Sequence, residues 1–301
     1  MTEPTTQPAT PPATGCTALI NPISGGGRAL KVWRPIADAL AASGFPVTEE
    51  LTRSQHHAAA AAEAAALRGD LVVAVGGDGL VRDVAGGVFP HGGRMAIVPA
   101  GRGNDFARKL ELPADAGALA SMIAAGSTRR IDVIEAAGQI VLGNVYVGLD
   151  SVATEAINNN RWLPGAVVYR VAPVGTILRW HAPTFTLTTP DWTATAAMHQ
   201  VVVGNSGRYG YGLDIVPSAR LDSGLLHVLT IGDVPRRHIV SFINKAKTGR
   251  HTEEDGVEVR TTTQITLDAD RQVPVHADGD YLCELPVTVT IRPSALELVI
   301  P

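Results

Sequence analysis

The chain has 301 residues, 45% of them hydrophobic, and 25 Lys and Arg against 29 Asp and Glu give it a net charge of -4. That length favours two domains over one and carries enough apolar residues for full cores. The acidic balance argues against a nucleic-acid partner, and Cys16 and Cys283 are too few for a disulfide framework or a thiolate metal site, as expected of a reducing cytosol.

Residues 1–14 are Thr, Pro and Ala without periodicity or the basic start and apolar core of a signal peptide, and read as a disordered tail. Beyond them, short apolar runs at 17–20, 47–51, 71–75 and 96–98 alternate with helical stretches, a parallel α/β pattern. Leu30, Trp33, Ile36, Ala37 and Leu40 line one helical face, where Pro35 demands either a start near Arg34 or a kink. Residues 57–67 and 116–125 form two more helices. After Arg130 the texture changes to alternating segments at 184–188, 198–203, 225–231, 257–267, 273–277 and 287–291, which predict an antiparallel β-sandwich with helices near 165–179 and 236–248. The expected division is an α/β nucleotide-binding domain over 15–130 and a β-sandwich over 131–293, with 294–301 able to pair in either. No window reaches the roughly 18 consecutive apolar residues needed to cross a bilayer, so any membrane contact is peripheral.

Three apolar runs end in glycines, small hydroxyls and acids. They are followed by Asn21, Ser24, Gly25 and Gly26, by Gly76, Gly77, Asp78 and Gly79, and by Gly101, Arg102, Gly103, Asn104 and Asp105. Glycines let backbone N–H groups approach a phosphate, and the helix after Gly79 turns its N-terminus toward the anion. Asp78 is placed to hold Mg²⁺ or to orient an attacking hydroxyl. A second acid, Asp105, at an adjacent strand end repels it unless a cation lies between. The bland alternatives are a tight turn at Gly76–Gly79 and an Asx helix cap at Asn104. Arg102 can pair with a phosphate or with Asp105. No Walker A sequence, H-R-D run or D-F-G triplet occurs, which excludes P-loop and protein kinases. His56, His57 and His276 lack metal-ligand spacing. Downstream, Asp278 and Asp280 flank Gly279, which by itself is a hairpin signal. The basic run from Arg236 to Arg250 is a solvated face or a contact for anionic headgroups, and Arg161 to Pro164 a candidate membrane-touching loop.

Taken in order, NPISGGG (21–27), GGDGL (76–80), PAGRGNDFAR (99–108), the Ile131 and Asp132 pair, GNSGRYGYG (204–212), ARLDSGLLHV (219–228) and HADGD (276–280) resemble the diacylglycerol kinase catalytic family, which includes bacterial soluble lipid kinases and sphingosine kinases. The resemblance spans residues 17–301, and its specificity lies in the order and spacing of the motifs. It implies an α/β nucleotide domain like that of NAD kinases, a C-terminal β-sandwich for lipid, and ATP in the cleft between them. By the same resemblance Gly76 to Arg82 cradle the triphosphate with Asn21, Ser24 and Thr52 nearby. Asp78, Asp105 and Asp132 form the acid network around a catalytic Mg²⁺. Asp280 takes the position of the catalytic glutamate in D-G-E, the first candidate for general base, with Asp78 second.

Four departures stand out. Leu80 replaces the threonine of GGDGT, as in sphingosine kinases, and Arg102 replaces the threonine of G-T-x-N-D. Asp280 is one methylene shorter than glutamate, which puts its reach in question. Ser223 stands where many bacterial members have an aspartate of a structural magnesium site. The resulting expectation is an ATP- and Mg²⁺-dependent kinase of diacylglycerol, cytoplasmic and working at the membrane surface, with a homodimer allowed. A sphingoid-base kinase, an NAD kinase and a catalytically silent sensor are its rivals.

Overall fold

The computed structural model describes residues 15–159, 180–210, 212–232, 234–235 and 239–301. The expected helix near 165–179, the loop at Arg161 to Pro164 and the start of the basic run at Arg236 lie outside them. Among the described residues no helix is long and apolar enough to cross a membrane.

The N-terminal half is built on strands β1 (Cys16–Ile20), β2 (Val47–Leu51), β3 (Leu71–Gly76) and β4 (Arg94–Pro99), all parallel, in the order β2-β1-β3-β4. Residues on β1, β3 and β4 are apolar on both faces, because both are covered. Leu19, Val72, Ala74, Met95 and Ile97 pack against helices α2 (Gln55–Leu67) and α3 (Asp78–Val88). Ala18, Ile20, Val73, Val75 and Val98 pack against α1 (Ala29–Ala42) and its Trp33, Ile36 and Leu40. Pro35 neither begins nor breaks α1, which runs continuously through it. Its ring is on the exposed face, where water can serve the Lys31 carbonyl left without an N–H donor. The small residues of α2 permit a close backbone approach: a Cβ on Gly87 of α3 would lie 2.2 Å from the Ala59 carbonyl oxygen and 2.9 Å from Ala62 Cβ. Gly87→Ala should therefore cost about 3 kcal/mol in urea unfolding.

Two strands thread both halves. β5 (Thr128–Ala136) and β17 (Val287–Val299) pair antiparallel, Thr128 to Ile131 with Leu296 to Val299 and Val133 to Ala136 with Val289 to Arg292. Where they leave the first half, the register shifts over a bulge containing Ser294, whose φ is 49°. The far end of β17 pairs parallel with β4, so the last residues return to the N-terminal sheet. The expected strand 287–291 and the closing piece 294–301 thus meet in one strand, which ends at Val299.

Beyond the bulge, β5 and β17 join β6 (Gln139–Val141), β8 (Thr184–Thr188) and β14 (Gln264–Ala269) as one layer of a sandwich. The other layer is β16 (Asp280–Glu284), β15 (Pro274–Ala277), β7 (Asn144–Gly148), β9 (Thr193–Gly204), β12 (Leu226–Gly232) and β13 (Val257–Thr262). The segment 257–267 breaks at Thr263 so that β13 and β14 serve opposite layers. β9 pairs first with β8 and then with β7 and β12. Alternate residues including Val145, Phe185, Val203, Ile265, Val275 and Val289 fill the space between the layers.

Candidate active site

The chain order of the parallel strands reverses at β1, which lies between β2 and β3. A crevice beyond the carboxyl ends of strands at such a reversal is where open α/β sheets bind ligands. Asn21 begins there, its N–H bonded to the Val75 carbonyl and its Oδ1 accepting the Ile23 N–H at 3.2 Å. Thr52 follows β2, buried, its N–H and hydroxyl both directed to the Ile20 carbonyl at 2.9 and 3.4 Å. Gly25 and Gly26 have φ of 60° and 75°, a left-handed pair that folds the first turn back on itself.

The three glycine turns converge. A Cβ on Gly25 would lie 2.4 Å from the Ala100 carbonyl oxygen, and one on Gly101 2.4 Å from Gly77 Cα. Ser24 Oγ sits 3.2 Å from the Cβ position of Gly76. Leu80 turns inward, its Cδ2 2.7 Å from that same position, so it packs the turn from below and adds no hydroxyl. Asn104, with φ of 54°, closes the third turn by accepting the Gly101 N–H at 2.8 Å and donating to the Gly101 carbonyl at 3.2 Å. It does not cap the helix that follows, α4 (Asp105–Lys109). The cap comes from Asp78, whose carboxylate accepts the Asp105 and Phe106 N–H groups at 3.2 Å each. Gly103 lies between the carboxylates of Asp78 and Asp105, with its Cβ position 3.2 and 3.6 Å from one oxygen of each. Arg102 is exposed and makes no hydrogen bond or ion pair among the described residues.

The β15–β16 hairpin reaches across from the sandwich. Asp280 Oδ2 lies 3.5 Å from the Cβ position of Gly79 and 3.0 Å from Nη1 of Arg82, so it covers the first turn of α3. Arg82 is buried and also contacts Asp83, its Nη2 3.1 Å from Oδ1. Asp278, with φ of 49°, is half-buried, and its carboxylate accepts N–H groups from Leu142, Gly143 and Asn144 at 3.3, 3.2 and 2.9 Å. Burial pushes its carboxyl up to about 6, the negative charge of Asp78 adds to the rise, and the N–H donors and Arg82 oppose it. The hairpin signal was therefore correct as far as it went, but its first acid is a strut and its second faces the cleft.

Asp132 has contacts of a different kind. Its carboxylate accepts the Gly224 N–H at 2.6 Å and the Ser294 N–H at 2.8 Å, and its own N–H and carbonyl bind the Leu221 carbonyl and the Asn205 amide. It thus pins the bulge where β5 and β17 pass between the two halves. Ser223 is likewise engaged within its own loop, its hydroxyl 3.3 Å from the Arg220 carbonyl and 3.4 Å from His227 Nε2, while Asp222 pairs with Arg220. These partners do not fit a metal-held loop.

A partly buried column lay outside the sequence reading. Tyr209 of the GNSGRYGYG motif donates its hydroxyl to Asp150, at the start of the helix Leu149–Asn159. The Tyr209 ring stacks on Tyr146 at 5.1 Å, and Tyr146 on His276 at 5.8 Å. Burial raises the Asp150 carboxyl, opposed by the Tyr209 bond, and lifts the Tyr209 hydroxyl well above its ordinary value.

A parallel sheet with glycine turns at its reversal point, faced by acids from a β-sandwich, defines an enzyme of the phosphoryl-transfer class. Residues 16–136 match the diacylglycerol kinase catalytic domain, and 143–300 match the YegS C-terminal NAD kinase beta sandwich-like domain. A diacylglycerol kinase of Mycobacterium tuberculosis (strain ATCC 25618 / H37Rv) is 32% identical, covering 95% of this chain and 94% of its own. A "probable lipid kinase YegS-like" of Pseudomonas aeruginosa (strain PAO1) is 27% identical over 76% of each. A crystal structure of a diacylglycerol kinase from Bacillus anthracis str. Sterne superposes with a TM-score of 0.74 at 19% identity, covering 97% of this chain and 98% of that one. The chain belongs to the diacylglycerol kinase family and is a diacylglycerol kinase-like lipid kinase.

Proposed function

We propose that this protein transfers the γ-phosphate of ATP to the free hydroxyl of diacylglycerol, giving phosphatidic acid, at the surface of a membrane. The observation that carries this reading is the meeting of Asp280 with the N-terminal turn of α3, which sets an exposed carboxylate from the sandwich over a glycine-lined anion site. In this reading the N–H groups of Gly76 to Leu80 and the turns at Ser24–Gly27 and Gly101–Asn104 hold the triphosphate. Asp280 accepts the acceptor's proton as its oxygen attacks in line, and the helix N-terminus favours the charge that develops on the phosphoryl oxygens.

Asp78 and Asp105 are the residues suited to Mg²⁺. Their carboxylates flank Gly103, and a magnesium ion commonly takes one or two carboxylates with phosphate oxygens and water completing the set. Among the described residues no three His, Cys, Asp or Glu side chains are grouped closely enough to hold a metal ion by themselves. The ion would neutralise phosphate charge. Asp132 enters as the residue that fixes the crossover.

The test is purified protein with ATP, Mg²⁺ and mixed micelles of diacylglycerol, sphingosine or neither, with NAD⁺ as a further acceptor. Phosphatidate should dominate. A sphingoid phosphate as main product would move the assignment to the other lipid class. No lipid product alongside measurable nucleotide binding would favour the silent sensor.

A further inference from the structure

Asp280 is one methylene shorter than glutamate, and the structure shows what its carboxylate meets. Its Oδ2 is 3.0 Å from Arg82 Nη1, an ion pair from the second turn of α3 across the cleft to the hairpin. The guanidinium is itself fixed. It is buried, its Nε and Nη2 lie 3.4 and 3.1 Å from Asp83 Oδ1, and burial of Asp83 raises that carboxyl while Arg82 holds it down. Asp280, by contrast, is substantially exposed, and its Oδ1 receives no hydrogen bond among the described residues. One oxygen is therefore anchored and the other is open to the cleft.

We propose that Arg82 is a positioning residue for phosphoryl transfer, fixing Asp280 through Oδ2 so that Oδ1 meets the acceptor hydroxyl. This rests on the lipid kinase reading above. A planar guanidinium clamped on one side by Asp83 presents its remaining N–H groups in a set direction, which a lysine ammonium on a flexible stem does not. A carboxylate one methylene short of glutamate then needs no reach of its own, since the long side chain comes from the opposite domain. The same pair also ties the hairpin to α3, so the base arrives only when the two halves are in register.

The test is a double-mutant cycle in the full-length enzyme with saturating diacylglycerol. Arg82→Gln should lower kcat by about 30-fold, part of the roughly 10²–10⁴-fold that a general base contributes, with the KM for ATP changed by less than about 3-fold. Arg82→Lys should fall between. Once Asp280→Asn has removed the base, Arg82→Gln should change kcat by less than about 3-fold, since the two residues act as one unit. Asp280→Glu in the Arg82→Gln background should recover at least about 10-fold, because the longer acid supplies the missing reach. Thermal melts accompany each variant, and rescue by glutamate cannot come from a chain that fails to fold. Multiplicative losses in the cycle, a selective rise in the KM for ATP, or no rescue would overturn the role of Arg82 while leaving the kinase assignment intact. A wild type without lipid kinase activity would sink both.

Discussion

Asp78→Asn should reduce phosphatidate formation by about 10³-fold, the scale expected when a charged group at a transferring phosphoryl centre is lost, while the chain stays folded. On the reading proposed above Asp78 holds a divalent ion as well as capping α4, and the substitution separates the two roles. Its oxygens accept the Asp105 and Phe106 N–H groups, which joins the second glycine turn to the third and closes the start of α4. Asparagine keeps one oxygen for that purpose and loses the charge that a divalent ion needs. The stability cost should be about 1–2 kcal/mol, in line with losing a hydrogen bond to a charged group. Asp78→Ala removes both acceptors and should cost about 3 kcal/mol, because the two donors are then unmatched in a part-buried site. Radiolabelled phosphate transfer and urea unfolding on both variants give the comparison. A substantial rate in Asp78→Asn would show that the carboxylate serves only as a helix cap, and the magnesium proposal would then rest on Asp105 alone.

Why these features were legible in the sequence, and others not, follows from the range of the interactions. Buried parallel strands announce themselves by unbroken apolar runs, and the glycines at 25, 77 and 101 mark backbone that must approach other backbone, while Gly76 makes room for the Leu80 and Ser24 side chains. Both signals are local, so the parallel sheet and the turns could be read directly. β5 was invisible because Thr128, Arg129 and Arg130 begin it with polar side chains, and its partner β17 carries Pro293 within a bulge. The short β7 and the helix Leu149–Asn159 were missed for want of a strong period. Asp278 and Arg82 were under-read for a different reason. Their roles depend on Leu142, Gly143, Asn144 and Asp280, partners more than 130 residues away in the chain that only the tertiary fold brings together. The resemblance singles out Asp280 through the D-G-E position, but no spacing rule reaches that choice independently or marks Asp278 as the acid that holds the 142–144 backbone.

Asp278 allows that distinction to be measured. Its carboxyl is raised from 3.8 to about 6, chiefly by burial. Between those values the folded chain keeps a proton that the unfolded chain has released, so stability attributable to this group falls as pH rises through the window. By linkage the loss is about 3 kcal/mol, complete above the folded value. Asp83 and Asp150, also raised by burial, act in the same direction. His227, His251 and His276, lowered by burial, act in the opposite one, because a neutral folded imidazole gains stability as pH rises toward its unfolded value. The wild-type profile alone therefore mixes several groups, and the informative quantity is its difference from Asp278→Asn. That difference should favour the variant increasingly from about pH 4 to about pH 6 and level off above. It is offset by a constant penalty, because one amide oxygen cannot serve three N–H donors and the NH₂ group faces one of them. The approach of this side chain requires glycine at 143, since a Cβ there would lie 2.1 Å from Asp278 Oδ1. Asp278→Ala, which leaves all three donors unmatched, should lose about 3 kcal/mol or more at every pH. The negative charge of Asp78 is one cause of the rise, so the pH-dependent part should shrink in the Asp78→Asn background. Urea midpoints across this pH range for the two single variants and their combination measure that coupling. Identical slopes in wild type and Asp278→Asn would mean that Asp278 is not the group that titrates, and that the charges of the cleft and the strut beneath it are independent.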